Sequence, residues 1–295
     1  MSLHPARRSL DHHLTIRPMV AEDLTQLHQL SIGVAWPHRP EDWQLIMGLG
    51  EGFMACDAIG RALGSAMWWP FGRNFASVGM VITSPRVQAH GAGRRLMDAV
   101  LERTGTRDLR LSSTRAGYRL YIALGFQPIG RIFQHQGRAR VSEGIGDSGH
   151  AGDLTIREVE AGDLDALAAL DASAYGADRK PVIAALLPVS TGTVALRDGK
   201  PVGFALCRQF GRGHVVGPIV AEDDAMAIAL TRPHVVAHQG GFLRVDTAFE
   251  QTGLGQFLEA SGMPIFDTVT PMIRGKAHGG KGAPKTYGLV TQALG

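Results

Sequence analysis

Cysteine is nearly absent from this 295-residue chain: only Cys56 and Cys207 occur, far apart and without metal-ligand spacing. Both lie in apolar, strand-like segments, which points to buried thiols in a reducing compartment rather than to a disulfide framework. No run of about 18 apolar residues occurs, so no membrane-spanning helix is expected. Residues 1–13 are polar, lack the apolar stretch of a signal peptide and read as a short tail. Charge of one sign is scarce too. The net charge is +3 without any block of like charges, so nothing marks a nucleic-acid surface. No His, Cys, Asp and Glu cluster calls for a metal. These absences place the protein in the cytoplasm, with no membrane, nucleic-acid or metal partner expected. The chain is 44% apolar and 19% charged, which suffices for a buried core over one large or two ordinary domains.

The chain repeats itself. Leu14-Thr-Ile-Arg17 recurs as Leu154-Thr-Ile-Arg157, an offset of 140. Each copy runs into an Asp and a leucine stripe: Asp23 with Leu24, Leu27 and Leu30, then Asp163 with Leu164, Leu167 and Leu170. The Asp suits a helix N-cap and the leucines form one helical face. Asp57 to Gly64 matches Asp198 to Gly203, each a hairpin turn ahead of a strand glycine. Val78-Gly79-Met80-Val81 matches Val216-Gly217-Pro218-Ile219, Leu109-Arg110-Leu111 matches Leu243-Arg244-Val245, and Leu124-Gly125-Phe126 matches Ser261-Gly262-Met263. One order at nearly one offset implies two copies of one α/β unit. The division reads 1–13 tail, 14–138 first unit, 139–153 Gly- and Ser-rich linker, 154–275 second unit, and 276–295 a flexible Gly/Lys-rich C-terminal segment ending in a short strand over 287–290.

The copies differ at one place. In the first, an apolar strand over 77–82 leads into Gln88-x-x-Gly91-x-Gly93 and then a helix. Glycines admit a ligand to the backbone, and free amides at a helix N-terminus bind anions. The spacing is neither Gly-x-Gly-x-x-Gly nor Gly-Lys-Ser/Thr. In the second copy the matching place holds Glu222-Asp223-Asp224. Carboxylates cap a helix start well but repel a phosphate put there. The run from Gly275 to Pro284 is glycine- and lysine-rich, yet it lacks a suitable preceding strand and the Ser/Thr of a phosphate loop.

The first loop is similar to the acyl-CoA loop of GNAT N-acetyltransferases, Gln/Arg-x-x-Gly-x-Gly/Ala. With Ala35-Trp36-Pro37, Arg39-x-x-Asp42-Trp43, Gly79-Met80-Val81-Ile82, Tyr121-x-x-Leu124-Gly125-Phe126, Tyr175-Gly176-x-Asp178-Arg179 and Gly217-Pro218-Ile219, residues 14–275 resemble tandem GNAT proteins with a YitH-type C-terminal domain. The resemblance implies two α/β (α+β) units, each a mixed, mostly antiparallel sheet flanked by helices. The second lacks the pyrophosphate loop. It implies acetyl-CoA as cosubstrate and direct transfer to an amine; a second unit that walls the site points to a small molecule rather than a protein as acceptor.

On that resemblance, the amides of Gln88, Ala89, His90, Gly91, Ala92, Gly93 and Arg94 would face pyrophosphate. Arg94 and Arg95 suit either phosphate contact or a solvated helix face. Met80, Val81 and Ile82 would line the pantetheine arm, with the N–H of Met80 or Val81 on the thioester carbonyl. Tyr121 would hydrogen-bond the departing thiolate, with Tyr118 as its competitor. The strand carries no carboxylate to serve as base. His38, Glu51 and Asp178 are the candidates. Trp36 and His38 from the first unit, and Tyr175, Asp178 and Arg179 from the second, would wall an acceptor site between the units. Two other readings fit less of the chain: an acyl-CoA-binding sensor without turnover, and an interaction protein with both units degenerate. The acceptor, the acyl-chain length and the oligomeric state are left open.

Overall fold

The computed structural model describes residues 14–85, 91–141, 154–250, 252–280 and 282–295. The first repeat supplies β1 (Thr15–Pro18), α1 (Leu24–Gly33), α2 (Pro40–Met47), β2 (Glu51–Cys56), β3 (Ala62–Phe71), β4 (Phe75–Thr83), α3 (Ala92–Thr104), β5 (Asp108–Ser113), α4 (Tyr118–Ala123), β6 (Gln127–Pro128) and β7 (Ile132–Arg138). The second runs through β8 (Leu154–Glu158), α5 (Leu164–Tyr175), α6 (Lys180–Leu186), β9 (Ser190–Arg197), β10 (Lys200–Phe210), β11 (Gly213–Ala221), α7 (Asp224–Ala237), β12 (Phe242–Thr247), α8 (Gly253–Ala260) and β13 (Ile265–Arg274). A last strand, β14 (Lys285–Gly288), follows.

Both repeats open alike. Arg17 grips Asp23 through two bonds of 2.7 and 2.8 Å, and Arg157 grips Asp163 through two of 2.8 Å. Each carboxylate also accepts the N–H of Val20 or Glu160. The guanidinium bonds hold both acids below the usual carboxylate range. The aspartates therefore close the turn before the helix, rather than capping its amides as the sequence pattern suggests. Their partner is the arginine that ends the repeated tetrapeptide.

The strands form one sheet in the order β1-β2-β3-β4-β5-β13-β7-β12-β11-β10-β9-β8. It is mixed and mostly antiparallel, with parallel pairs at β4–β5 and β11–β12. Helices flank it. The closing strands are exchanged between the repeats. Residues 270–274 of β13 pair with β5 of the first repeat, while β7 pairs along its length with β12 of the second. β7 and β13 also pair with each other at the centre. β7 ends at Arg138, but the sheet does not divide where the repeats do. Pairing across so long a separation leaves no local mark on the chain.

The core crosses the repeats as well. Leu27, Trp43, Trp69 and Phe75 pack in one cluster with Leu167, Ile183, Phe204, Val290 and Leu294. Cys56 and Cys207 are free and buried, and burial pushes the Cys207 thiol up to about 12.

The segment after β13 differs from the flexible tail expected. His278 stacks on Phe75 with centroids 4.5 Å apart and pairs with Asp108 at 2.8 Å. Val290 and Leu294 are wholly buried. A strand, β13, does precede Gly275, but the next element is the strand β14 rather than a helix, so no phosphate loop forms.

Exchange of closing strands should make the repeats unfold together. All four tryptophans lie between residues 36 and 69, so fluorescence reports the first repeat while far-ultraviolet circular dichroism reports both. The two probes should give coincident urea transitions. Separated midpoints would show independently stable halves.

Candidate active site

The site lies where β4 leaves β5. Their parallel pairing ends at Val78 and Leu111. Beyond it, β4 carries a bulge: Ser65 pairs with Ile82 but Met67 with Gly79, so one extra residue stands in β4. Met80 sits there at φ 49°, the left-handed region that a non-glycine residue enters at a cost of about 1–3 kcal/mol. The buried Ser65 hydroxyl donates to the Met80 carbonyl at 2.7 Å and holds the bend. The bulge re-aims the Met80 and Val81 backbone just where β5 has departed. Ile82 is buried.

Three elements converge beyond the bulge. A Cβ on Gly93, in the first turn of α3, would lie 3.4 Å from Leu120 of α4 and 3.5 Å from Thr83 at the end of β4. Gly91 precedes α3 at φ 74°, with open space around the position of a Cβ, and no side chain of a described residue caps the helix. Ala92 is buried at the helix start. Arg94 uses its Nε on Asp98 at 2.9 Å, which leaves both Nη atoms without a partner among the described residues. Gln88, Ala89 and His90 lie outside the described residues. Amides that no described side chain caps, a glycine entry and an Arg94 edge unpaired among the described residues suit the pyrophosphate of an acyl-CoA.

The corresponding place in the second repeat is closed twice over. Asp223 accepts the Met226 N–H at 2.8 Å as the α7 cap, Asp224 accepts the Gly253 N–H at 2.9 Å, and Glu222 pairs with Arg197 at 2.8 Å. The splay between β11 and β12 is filled by β14, which pairs with β11, while the Leu289 N–H reaches the Asp246 carbonyl of β12. A Cβ on Gly217 would collide with the Leu289 carbonyl. Residues 285–289 thus occupy the groove that stays open in the first repeat.

Tyr121 is buried in α4, with its ring edge-on to Phe126 at 6.0 Å. Burial pushes its phenol up, so the hydroxyl keeps its proton. It has no hydrogen-bond partner among the described residues. Tyr118 is only partly buried.

A cavity of about 390 Å³ opens from Gly79 and Met80. Ser112 and Thr114 at the end of β5 line it, as do Trp36 and His38 from the α1–α2 loop. The second repeat contributes Arg208, Phe210, Phe242 and Arg244. Its far wall is latched on. Arg39 pairs with Asp42 at 2.9 Å and donates to the Gln209 side chain at 2.8 Å, and Asp42 accepts the Gly211 N–H at 2.9 Å. The Arg39-x-x-Asp42-Trp43 motif thereby clamps the β10–β11 hairpin. A second cavity, of about 760 Å³ beside β2 and α2, shares no lining residue with the first.

Of the candidate bases, only His38 lines the cavity. Its Nδ1 is buried without a partner among the described residues, and burial lowers its pKa to about 4. Glu51 pairs with Arg103 at the exposed rim of the other cavity. Asp178 is exposed, and its carboxylate accepts the Lys180 N–H.

Tyr175, Asp178 and Arg179 do not line the cavity, a correction to the expected acceptor wall. Arg179 is fully buried, pairs with Asp171 at 2.6 Å and donates to the backbone oxygens of Leu294 and Gly295 at 2.9 and 2.7 Å. Tyr175 stacks beneath its guanidinium at 3.6 Å. The motif anchors the final residues, which a string of polar residues read without partners cannot reveal. No local pattern in the sequence marks Arg208, Phe210, Phe242 or Arg244 as site residues. The match of Leu243-Arg244-Val245 to Leu109-Arg110-Leu111 was the one signal near them.

The "Acetyltransferase (GNAT) family" model matches residues 20–126 and the "Acetyltransferase (GNAT) domain" model matches 167–288. The chain belongs to the GNAT acetyltransferases and carries two such domains in tandem. It is 26% identical over 289 residues to the uncharacterized N-acetyltransferase YitH of Bacillus subtilis (94% of this chain, 99% of the relative). A solved structure from Pyrococcus horikoshii superposes with a TM-score of 0.77 at 16% identity, covering 100% of both chains. A tandem GNAT protein from the clavulanic acid biosynthesis pathway gives 0.63 at 15% identity, covering 90% of this chain and 99% of that one. These structures share the fold.

Two outcomes follow. Calorimetric titration with acetyl-CoA should show one site per chain, lost in Gly91→Glu, which puts a carboxylate at the α3 N-terminus, and weakened far less in Gly91→Ala, which adds only backbone strain. Two sites would mean that the second groove opens. For His38, the unfolded chain holds a proton between about pH 6.5 and 4 that the folded chain lacks. Its stabilisation is therefore complete above about pH 6.5 and falls as the pH drops towards 4, by about 3 kcal/mol in all. His234, also held near 4, adds its own share. His38→Gln should flatten this limb in urea unfolding at pH 7 against pH 5. An unchanged slope would show that the imidazole is not held neutral.

Proposed function

We propose that the chain is an acetyl-CoA-dependent N-acetyltransferase acting on a small-molecule amine in the cytoplasm. The observation that carries this is the cavity that begins at the β4 bulge of the open repeat and is walled by the closed one. A cavity shared by two latched units suits a small acceptor better than an extended chain.

Bound acetyl-CoA would supply an acyl group activated as a thioester. The amides at the start of α3 and the free edge of Arg94 hold the pyrophosphate. Met80 or Val81 presents a backbone N–H to the carbonyl, and a preorganised donor of this kind lowers such a barrier by about 3 kcal/mol. Tyr121 is kept protonated by burial and lies in the core rather than in the cavity lining; it would hydrogen-bond the sulfur as negative charge develops there. Trp36 and His38 border the acceptor end. His38 is a weak base, so it accepts a hydrogen bond from the amine rather than removing a proton from an ammonium group of pKa near 10. The free-base amine is then the reacting form. A sensor without turnover would need no cavity at the bulge, so turnover is the better reading.

With a broad amine panel, CoA release should exceed the hydrolysis background. The logarithm of kcat/KM should climb with unit slope up to the pKa of each amine. A limb near pH 7 that stays fixed across amines would reveal an enzyme base instead. Tyr121→Phe should lower kcat about 10²-fold with acetyl-CoA affinity retained. No release with any amine would leave the sensor reading.

A further inference from the structure

Arg208 is the unexplained charge of the cavity. It sits on β10, is 4% exposed and lines the cavity that Gly79 and Met80 open. Its Nε is buried without a partner among the described residues. Its other bonds are long: Nη1 to the Gln209 carbonyl and Nη2 to the Val290 carbonyl, both at 3.3 Å. No carboxylate pairs with it among the described residues. A buried guanidinium ordinarily has such a partner, because its hydration is lost on burial.

The nearby charges are already committed. Asp42 is held by Arg39 and the Gly211 N–H. Asp246 takes Arg244 at 2.7 Å. Asp267 is exposed and caps the Thr268 N–H. Gln134 donates to Gln136 and accepts from Gln292. The guanidinium of Arg208 lies 5.0 Å from the Phe210 ring centroid, and that ring meets His38 edge-on. A cationic fork thus lines an aromatic-lined cavity, with its Nε unpartnered among the described residues and its two Nη atoms held only by long bonds to carbonyls.

Resting on the acceptor-amine reading above, we propose that the acceptor is an amine bearing a carboxylate, and that Arg208 receives this carboxylate while the amine points to the β4 bulge. One edge of the guanidinium matches the two oxygens of a planar carboxylate. The aromatic lining of Trp36, Phe210, Phe242 and Phe266 suits an apolar body between the two ends, as in an amino acid with an aromatic or aliphatic side chain.

The test compares phenylalanine, its amide and phenethylamine as acceptors, with phosphoethanolamine as a phosphate-bearing control. The free acid should have the lowest KM. Arg208→Met should raise that KM on the order of 10–100-fold and leave the amide and the amine unaffected. Arg208→Lys should fall between, because it keeps the charge without the fork. Preference for the neutral amines, or an equal loss for all of them, would overturn the proposal. Preference for phosphoethanolamine would reassign the fork to phosphate. A binding arm stands apart from turnover: N-acetylphenylalanine against its amide, titrated calorimetrically into wild type and both variants. Carboxylate-dependent binding that Arg208→Met abolishes would uphold the fork even if no amine were turned over, in which case the transferase reading alone would fail. Equal binding of acid and amide would overturn the fork. Thermal unfolding of each variant separates misfolding from lost recognition.

Discussion

The central β7–β13 pair is the constraint on which the rest of the molecule depends. Each strand is the closing strand of one repeat, yet it supplies the hydrogen-bond partner that the other repeat's sheet lacks at β5 or β12. An unpartnered strand edge leaves N–H and C=O groups unsatisfied, so neither half completes its sheet alone. The exchange also fixes the distance between the halves. It brings the β10–β11 hairpin onto the α1–α2 loop, where Arg39 and Asp42 latch it. The cavity is the space this arrangement leaves.

The two repeats show how one fold can hold an open groove and a filled one. In both, a parallel pair splays early and a helix begins beyond it. The open copy enters its helix through Gly91 at positive φ, with no described side chain on the first amides. The filled copy places Asp223 on those amides, and β14 lies between its strands. Carboxylate and pyrophosphate compete for the same positive helix end, so one substitution of chemistry removes anion binding and improves the cap at the same time. The strand that fills the groove continues past Gly79 of the open copy, where Ala293 packs closely. A single segment thus touches both grooves, and the buried Arg179–Asp171 pair holds its end.

Much of this was legible in the residues. The repeated Leu-Thr-Ile-Arg and the paired strand glycines gave two α/β units. The glycine spacing of one loop against three acids in the other set apart a copy whose helix start carries no described cap from one whose helix start is capped. These signals are local: a φ, a helix end or a charge at a helix start is set by neighbouring residues. The assignments of Tyr175, Asp178 and Arg179 to an acceptor wall went astray for the opposite reason. A polar motif shows that partners are needed but not which ones, and here they lie about 115 residues away at Leu294 and Gly295. Arg208 escaped notice because a lone arginine in an apolar strand shows its missing partner only once the fold surrounds it.

The sequence by itself determined the repeat, the class of each unit and which copy carries carboxylates at its helix start, because periodicity, glycine placement and helix-end charge act over a few residues. Tertiary structure alone decided the exchange of closing strands, the filling of the second groove by residues 285–289 and the convergence of β4, β5, β10 and β12 on one cavity. Those outcomes depend on which distant strand wins a given edge and which buried charge finds a partner, and both are settled only when the whole chain is packed.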